Sequence, residues 1–242
     1  MAMRAMILAA GRGERMRPLT DAYPKPLLSA GGKPLIVWHI ERLRTAGFTE
    51  LVVNHAHLGQ MIERALGDGK LFGVSIRYSA EAEALETAGG IRRALPLLGD
   101  ALFLVVNGDI FCDYDLARLH EPPARLANGQ DLAHLVMAPN PDHHPDGDFH
   151  LDASGRLDQH GNPKRTFAGI GVYRPELFAK LEDGAKAPLG PLLRAAMDQG
   201  RVSGEAFDGA WLDIGTPRRL AELDRRLRLA GDAFAGEQGQ HP

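Results

Sequence analysis

The segment LAAGRGERMRPLT, residues 8–20, directly follows an apolar run near the start of the chain. Gly11 and Gly13 allow the main chain to approach a ligand closely and to adopt positive φ. Backbone N–H groups exposed after a strand bind anions. Guanidinium groups bind phosphate oxygens in pairs, and the segment contains three of them: Arg12, Arg15 and Arg17. The segment therefore predicts either a polyphosphate-binding loop or a solvated surface turn.

Neither of the two commonest glycine-loop signatures fits this segment. The dinucleotide-binding fingerprint needs a third glycine where the chain has Met16, and a helix directly afterwards. Residues 17–26, RPLTDAYPKP, cannot form that helix because three prolines interrupt them. No Gly-Lys-Ser/Thr follows, so the Walker loop is excluded as well. Lys25 stands between two prolines, which restrict the local backbone and so can hold its ammonium group in one direction.

The composition is ordinary for a globular chain. Of 242 residues, 44% are hydrophobic and 24% charged, and the formal net charge is −3. No overall positive field therefore attracts nucleic acid. No apolar run is long enough to span a bilayer, and Arg12 and Glu14 interrupt a signal-peptide pattern at once. We expect a cytoplasmic protein with no nucleic-acid or membrane partner. The single cysteine, Cys112, excludes an internal disulfide and a multi-cysteine metal site.

Apolar runs alternate with helical patterns along the first half of the chain. The predicted strands lie at residues 5–10, 50–54, 74–78 and 101–109. The predicted helices lie at residues 34–47, 58–66 and 88–98. Repeated strand–helix–strand units imply a mostly parallel sheet with helices on both faces. The fold class is therefore α/β, with a Rossmann-like sheet sandwiched by helices.

The second half is less regular and makes the sheet mixed. A hairpin is predicted at residues 148–159, with its turn at residues 153–155. The other predicted strands and helices lie at residues 131–138, 166–174, 189–199 and 217–230. No repeat or linker interrupts the pattern. We therefore expect one domain over residues 1–230 and a disordered tail over residues 231–242, with no prediction of oligomeric state.

The opening segment carries a resemblance to a known family. Together with PKPLL, residues 24–28, it resembles the G-x-G-x-R…P-K-P signature of sugar-1-phosphate nucleotidyltransferases. The similarity covers most of residues 3–227 and implies their GT-A-like nucleotidyltransferase fold. The chain has no room for the C-terminal β-helix of bifunctional relatives. The resemblance implies that Arg15 and Lys25 are catalytic, and that a nucleotide lies against Ala10, Gly11, Arg12 and Gly13.

A second segment, EALETAGGIRRAL at residues 83–95, resembles the L-G-T-A-G loop of the same family. The resemblance implies nucleotide contacts at Thr87 and Gly89, while Glu86 replaces the usual glycine. Glu81 lies where relatives commonly have a base-reading glutamine. A carboxylate accepts a hydrogen bond from uracil N3–H but meets only an acceptor at cytosine N3. As a base-reading residue, Glu81 would therefore favour uracil or thymine over cytosine and would leave guanine open. The alternative interpretation of Glu81 is a charged surface residue.

Two aspartates match the metal-holding carboxylates of the family. Asp109 in FLVVNGDI follows a buried strand, where ligands bind in open α/β sheets. Asp213 in AWLDIGTP precedes a turn and the last predicted helix. Mg²⁺ is usually held by one or two carboxylates together with substrate phosphates. The resemblance thus implies Mg²⁺ as cofactor; each aspartate alone also fits a turn or helix cap.

Within the family, several segments resemble the uridylyltransferases that use N-acetylmuramate 1-phosphate in bacterial cell-wall recycling. One is NPDHHPDGDF, residues 140–149, which we interpret as a mobile sugar-side loop rather than a zinc site at His143 and His144. The common E-K-P sugar-side element is replaced by NPKRT, so no catalytic role is assigned to Lys164. The resemblance implies sugar contacts at three residues: Asn107, Asp148 and Gly169.

The resemblance implies transfer of UMP from UTP to a sugar 1-phosphate, giving a UDP-sugar and pyrophosphate. Three alternatives stay open at this point. One is a hexose-1-phosphate thymidylyl- or guanylyltransferase. A sugar-donor glycosyltransferase would use an Asp-x-Asp motif, and DYD at residues 113–115 has that form. The last is a nucleotide-sugar sensor without catalysis, which retention of the two cations and two aspartates disfavours.

Overall fold

The computed structural model describes residues 3–237, with side chains through residue 229. Within that range the strands are β1 (Arg4–Leu8), β2 (Ser29–Ala30), β3 (Lys33–Pro34), β4 (Glu50–His55), β5 (Ser75–Ala80), β6 (Phe103–Asn107), β7 (Ile110–Cys112), β8 (Ala133–Ala138), β9 (Phe149–Leu151), β10 (Leu157–Asp158), β11 (Lys164–Tyr173), β12 (Val202–Ala206) and β13 (Trp211–Asp213).

The α-helices of the same range are α1 (Leu19–Ala22), α2 (Leu35–Thr45), α3 (Gly59–Leu66), α4 (Glu86–Leu98), α5 (Ala124–Ala127), α6 (Leu189–Asp198) and α7 (Pro217–Glu237). Short 3₁₀ helices lie at Glu14–Met16, Lys25–Leu27, Lys70–Phe72, Leu116–His120 and Pro175–Phe178.

The centre of the main sheet is parallel. Strand β1 lies between β4 and β6 and runs parallel to both. Leu8 is in register with Asn54 on one side and with Asn107 on the other. The carboxyl ends of these three strands therefore meet at one edge of the sheet, the edge at which open α/β sheets bind ligands.

The other side of the sheet is antiparallel. Strand β11 runs antiparallel to β6, β8 and β9, with a register shift between Phe167 and Gly171. Strands β9 and β10 form the predicted hairpin. The predicted mixed, mostly parallel α/β sheet is confirmed. The long strand β11 brings the hairpin half of the chain beside the carboxyl end of β6.

The core has two layers because the side chains of a strand point to alternate faces. On β1, Ala5 and Ile7 pack with the buried face of α2, whereas Met6 packs with α4 and α6. Ile40 on α2 and Ile91 on α4 are fully buried in these two clusters. Helices therefore cover both faces of the sheet, and its parallel strands are apolar on both sides.

Most predicted elements are present, with ends shifted by a few residues. The predictions omitted β12, which pairs with β8, and the small antiparallel sheet of β7 and β13. Helix α7 extends to Glu237, past the start of the predicted tail, and residues 238–242 lie outside the described part. Across residues 3–237, no helix is both long and apolar enough to cross a bilayer.

Candidate active site

A cavity of about 370 Å³ lies at the carboxyl edge of β1 and β6. Its wall combines the opening loop, the start of α4 and the turn after β6. Seven of the residues predicted for the nucleotide, the cations and the metal line it: Ala10, Gly11, Gly13, Arg15, Lys25, Thr87 and Asp109. Other residues of the wall were not predicted from the sequence, among them Asn54, Glu86 and Gly215.

The two glycines of the opening loop have different physical roles. Gly13 has φ of 70°, and a Cβ there would lie 2.9 Å from Thr20 and 3.3 Å from Lys25. A side chain at Gly13 would therefore displace Lys25. A Cβ on Gly11 would meet nothing within 4 Å. Gly11 thus presents bare main chain to the cavity, as a phosphate-binding loop requires.

Arg12 stabilises the loop rather than lining the cavity. Its guanidinium donates to the carbonyl oxygen of Thr20 at 2.7 Å and to the carboxylate of Asp21 at 3.1 Å. The hydroxyl of Thr20 in turn donates to the carbonyl oxygen of Gly13 at 2.9 Å. The structure therefore places Arg12 apart from the other predicted nucleotide contacts of this loop.

Lys25 and Asp109 form the central ion pair of the cavity. The Lys25 ammonium donates to the Asp109 carboxylate at 2.7 Å. The Lys25 side chain is 11% exposed and that of Asp109 is 44% exposed. A largely buried ammonium is therefore fixed beside a half-exposed carboxylate in the cavity wall, where both can reach a bound anion or cation.

The small sheet of β7 and β13 brings Asp213 to Asp109. Asp213 is in register with Ile110, and the backbone N–H of Ile214 donates to the carbonyl oxygen of Asp109 at 2.6 Å. A Cβ on Gly215 would lie 2.9 Å from Arg15 Nη2 and 3.0 Å from Asp213 Oδ2. The two predicted carboxylates and the predicted arginine therefore converge, although Arg15 and Asp213 lie near opposite ends of the chain.

Two further side chains contact Asp213. Arg219 Nη1 donates to Asp213 Oδ1 at 2.5 Å, and His143 Nε2 lies 2.9 Å from the same oxygen. Two adjacent carboxylates provide the hard oxygen ligands that suit Mg²⁺, with phosphates completing the coordination. Within the described part of the chain, no group of three or more His, Cys, Asp or Glu side chains could hold a metal ion by itself. The donor set therefore fits a phosphate-shared Mg²⁺ better than an ion enclosed by protein alone.

A second cavity, of about 350 Å³, lies on the other side of Asp109. Asn107 and Asp109 line both cavities, while Asp148, Asp213 and the two loop histidines line the second alone. We call this second space the acceptor cavity. Gly169 does not line it: with φ of 77°, Gly169 leaves room for Asn107, whose Nδ2 would lie 2.8 Å from a Cβ at that position.

The loop of residues 140–149 is held by specific hydrogen bonds. The amide of Asn140 donates to the carbonyl oxygens of Pro145 at 2.9 Å and Lys164 at 3.0 Å. The hydroxyl of Thr166 donates to Asn140 Oδ1 at 2.9 Å. This network ties the loop to β11 and gives it a defined path along the acceptor cavity. Lys164 contributes only its backbone there and lines neither cavity.

Glu81 lies outside the first cavity. It is 5% exposed, and its two oxygens accept from Asn54 Nδ2 at 2.7 Å and from the backbone N–H of Leu85 at 2.8 Å. Asn54 Oδ1 accepts from the N–H of Ala9 at 2.8 Å. The described geometry therefore joins Glu81 to the cavity through Asn54. Its role as a base reader stays a prediction.

At the start of α4, Glu86 stands where the resembled family usually has glycine. Glu86 lines the cavity with φ of 60°, a left-handed conformation that glycine adopts at no steric cost. Thr87 beside it lines the cavity as predicted. Gly89 does not: its N–H donates to the carbonyl oxygen of Ala187 at 3.1 Å, and a Cβ there would lie 2.3 Å from Ala185. The glycine at 89 therefore allows close packing.

One buried histidine lies beneath the Asp109 turn. His39 on α2 is 4% exposed, and burial together with the Arg42 charge lowers its pKa to about 4. The charge of Asp109 and the backbone of Gly108 and Ile110 act in the opposite direction and raise the pKa. His39 is therefore a neutral packing residue under the carboxyl edge of the sheet.

Comparison with known proteins defines the class of this chain. It belongs to the nucleotidyl transferase family, whose pattern matches residues 4–228. The chain is 57% identical over 223 residues to the N-acetylmuramate alpha-1-phosphate uridylyltransferase of Neisseria meningitidis, covering 91% of this chain and 96% of the relative. It is 34% identical over 236 residues to the protein of the same name from Caulobacter vibrioides, covering 93% and 96%. The predicted family is confirmed.

The fold also matches solved structures. A putative glucose-1-phosphate thymidylyltransferase from Bacillus anthracis superposes with a TM-score of 0.79 at 23% identity. The alignment covers 94% of this chain and 96% of that structure. At this identity the likeness concerns the fold alone, and it confirms the predicted nucleotidyltransferase architecture.

Proposed function

We propose that this chain transfers UMP from UTP to N-acetylmuramate α-1-phosphate, giving UDP-N-acetylmuramate and pyrophosphate. The observation that carries the proposal is the 2.7 Å contact between Lys25 and Asp109 at the junction of the two cavities. One cavity suits a nucleoside triphosphate, the other a sugar, and the reacting phosphates meet at the shared wall. The 57% identity to a uridylyltransferase of this specificity supports the choice of both substrates. We further propose a cytoplasmic role in cell-wall recycling, which the resemblance of the sequence implies.

The chemistry needs positioning and charge stabilisation more than proton transfer. The acceptor phosphate oxygen is already ionised, so no general base is required. It attacks the α-phosphorus of UTP in line, a bond to that phosphorus forms, and pyrophosphate leaves with the electrons of the broken bond. Lys25 lies where it can neutralise charge on the α-phosphate and the incoming phosphate. Arg15, with the bare main chain of Gly11, would bind the departing pyrophosphate.

Asp109 and Asp213 are the residues proposed to hold Mg²⁺. When bound, Mg²⁺ would supply charge neutralisation between the two phosphate anions. The chain's own cations then have separate tasks. Lys25 pairs with Asp109 and Arg219 with Asp213, so each carboxylate keeps a counter-charge beside it. These pairs limit the cost of placing two carboxylates together.

The deciding experiment follows pyrophosphate release from UTP with a panel of sugar 1-phosphates, with and without Mg²⁺. We expect release with N-acetylmuramate 1-phosphate, dependent on Mg²⁺. Substituting dTTP or GTP for UTP separates the thymidylyl- and guanylyltransferase alternatives. No release with any nucleotide and acceptor, despite nucleotide binding, would indicate the non-catalytic sensor instead.

The glycosyltransferase alternative has little structural support. Its motif residue Asp115 accepts from the N–H of Ala117 at 3.0 Å and caps the 3₁₀ helix that follows. Tyr114 between the two aspartates is 2% exposed. Neither Asp113 nor Asp115 lines the two cavities of the site. Formation of UDP from a UDP-sugar, measured against pyrophosphate formation from UTP, distinguishes the two reactions.

A further inference from the structure

The acceptor cavity contains a histidine whose orientation is fixed from behind. His144 Nε2 lies 3.1 Å from Asp148 Oδ1, and Asp148 Oδ2 accepts from the backbone N–H of Phe167 at 2.8 Å. Asp148 is thus anchored to β11 and occupied at both oxygens. Each oxygen still has a lone pair for a sugar hydroxyl, and Asp148 lines the cavity together with His144. The contact from Asp148 restricts the orientation of the His144 ring beside it.

The ring of His144 has one nitrogen left for a ligand. With Nε2–H donated to Asp148, Nδ1 is the remaining polar atom of a side chain that is 40% exposed and lines the acceptor cavity. Nδ1 can meet a carboxylate only as a donor, when the ring carries a second proton. In that form of the ring, the Asp148 carboxylate beside Nε2 would be its counter-charge. An imidazole backed by a carboxylate is therefore suited to an anionic partner.

A sugar 1-phosphate offers His144 an anionic group besides its phosphate only if the sugar is itself an acid. Its 1-phosphate belongs at the Asp109 end of the cavity, where Lys25 contacts Asp109 from the first cavity. This leaves the loop end for the sugar body. N-acetylmuramate differs from N-acetylglucosamine by a lactyl ether that carries a carboxylate. We propose that His144, oriented by Asp148, binds this carboxylate and selects carboxylate-bearing sugar 1-phosphates. The inference rests on the proposed function, since it concerns the acceptor of that reaction.

Two isosteric variants separate recognition from loop structure. In His144→Gln the side-chain amide replaces Nε2, so the contact with Asp148 is retained and the second ring nitrogen, Nδ1, is lost. In His144→Asn the amide replaces Nδ1, so a donor at that position is retained. We expect His144→Gln to raise KM for N-acetylmuramate 1-phosphate by about tenfold or more, as for other charged hydrogen bonds. His144→Asn should keep part of the affinity. The exposed His160→Gln is the matched control.

A comparison of two sugar 1-phosphates identifies which group of the sugar His144 binds. With N-acetylglucosamine 1-phosphate, which lacks the lactyl group, His144→Gln and wild type should have the same KM. Equal losses on both acceptors would place His144 on a shared part of the sugar and overturn the inference. A wild-type KM in His144→Gln would leave His144 with a loop-holding role only, and would also overturn it.

Equilibrium binding of each sugar 1-phosphate without UTP gives a second readout, which does not depend on turnover. Wild type should bind N-acetylmuramate 1-phosphate more tightly than N-acetylglucosamine 1-phosphate, and His144→Gln should remove the difference. Equal binding of both by wild type overturns the inference. The proposed function fails separately, if wild type releases no pyrophosphate from UTP with either acceptor.

Discussion

The ammonium of Lys25 lies 2.7 Å from the carboxylate of Asp109, across 84 residues of sequence. Lys25 comes from the loop after the first strand, and Asp109 from the turn after β6. Because β1 and β6 are adjacent and parallel, both loops leave the same edge of the sheet. This contact brings the predicted catalytic cation to the predicted metal ligand, at the wall that the two cavities share.

Replacing Lys25 by alanine should lower kcat by about 10²–10³-fold, the effect of removing one donor to the transition state. The same loss is expected for Arg15→Ala. The measurement is steady-state pyrophosphate release under saturating substrates. The control is Arg17→Ala, whose exposed guanidinium pairs with Asp21 at 2.9 Å outside the cavity. Near-normal kcat in Lys25→Ala, with unchanged folding, would contradict the assigned role.

Glu81→Gln should lower the free energy of unfolding by about 1–3 kcal/mol. Both carboxylate oxygens accept hydrogen bonds from the chain, and an amide would turn one of them into a donor facing a donor. Urea denaturation measures the loss. Glu83→Gln is the control, because Glu83 forms an exposed pair with Lys186 at 2.9 Å. The ratio of kcat/KM for UTP over CTP in Glu81→Gln tests the separate prediction of base reading.

Glu86→Gly should raise the free energy of unfolding by about 0.5–1 kcal/mol. The left-handed conformation costs a non-glycine residue about 1–2 kcal/mol, which glycine does not lose. Part of this gain is offset because glycine has more conformational freedom to lose on folding. Glu86→Ala keeps the positive φ of 60° without the glutamate and should show no gain. An equal gain in both variants would mean that the side chain, and not the backbone, is the source of strain.

Gly169→Ala should lower activity far more than Gly184→Ala. Both glycines have positive φ, 77° and 81°, so both substitutions should cost about 1–2 kcal/mol of stability. A Cβ at 169 would lie 2.8 Å from Asn107, whereas one at 184 meets nothing within 4 Å. Displacement of Asn107, which lines both cavities, should cost about 10²-fold in kcat/KM. Equal activity in the two variants would remove Asn107 from the proposed site.

His39 should make the protein less stable as the pH falls from 6.5 toward 4. The unfolded histidine takes a proton at its ordinary pKa of 6.5, whereas burial lowers the native pKa to about 4. Protonation therefore favours the unfolded chain in this window, by up to about 3 kcal/mol at its lower end. The test compares urea unfolding of wild type and His39→Gln at pH 7 and pH 4.5. The variant should lose less stability than wild type on acidification.

The sequence by itself determined the fold class and the main parts of the site. Alternating apolar runs and helical patterns predict the α/β sheet, since period-2 and period-3.6 burial leave local signatures. The opening loop, Lys25 and Asp109 were recognisable because glycine, proline and charge stand at fixed spacing within short segments. These features are local, so one stretch of chain contains them.

Only the tertiary structure decided which of these residues meet. Pairing of β7 with β13 brings Asp213 to Asp109, and strands of three residues each have too little pattern to reveal it. Burial of Glu81 against Asn54 and anchoring of Asp148 to β11 likewise depend on distant strands. Whether a polar side chain faces a cavity or satisfies the chain's own hydrogen bonds is set by the packing of the whole sheet. A residue's identity and its sequence neighbours do not contain that information.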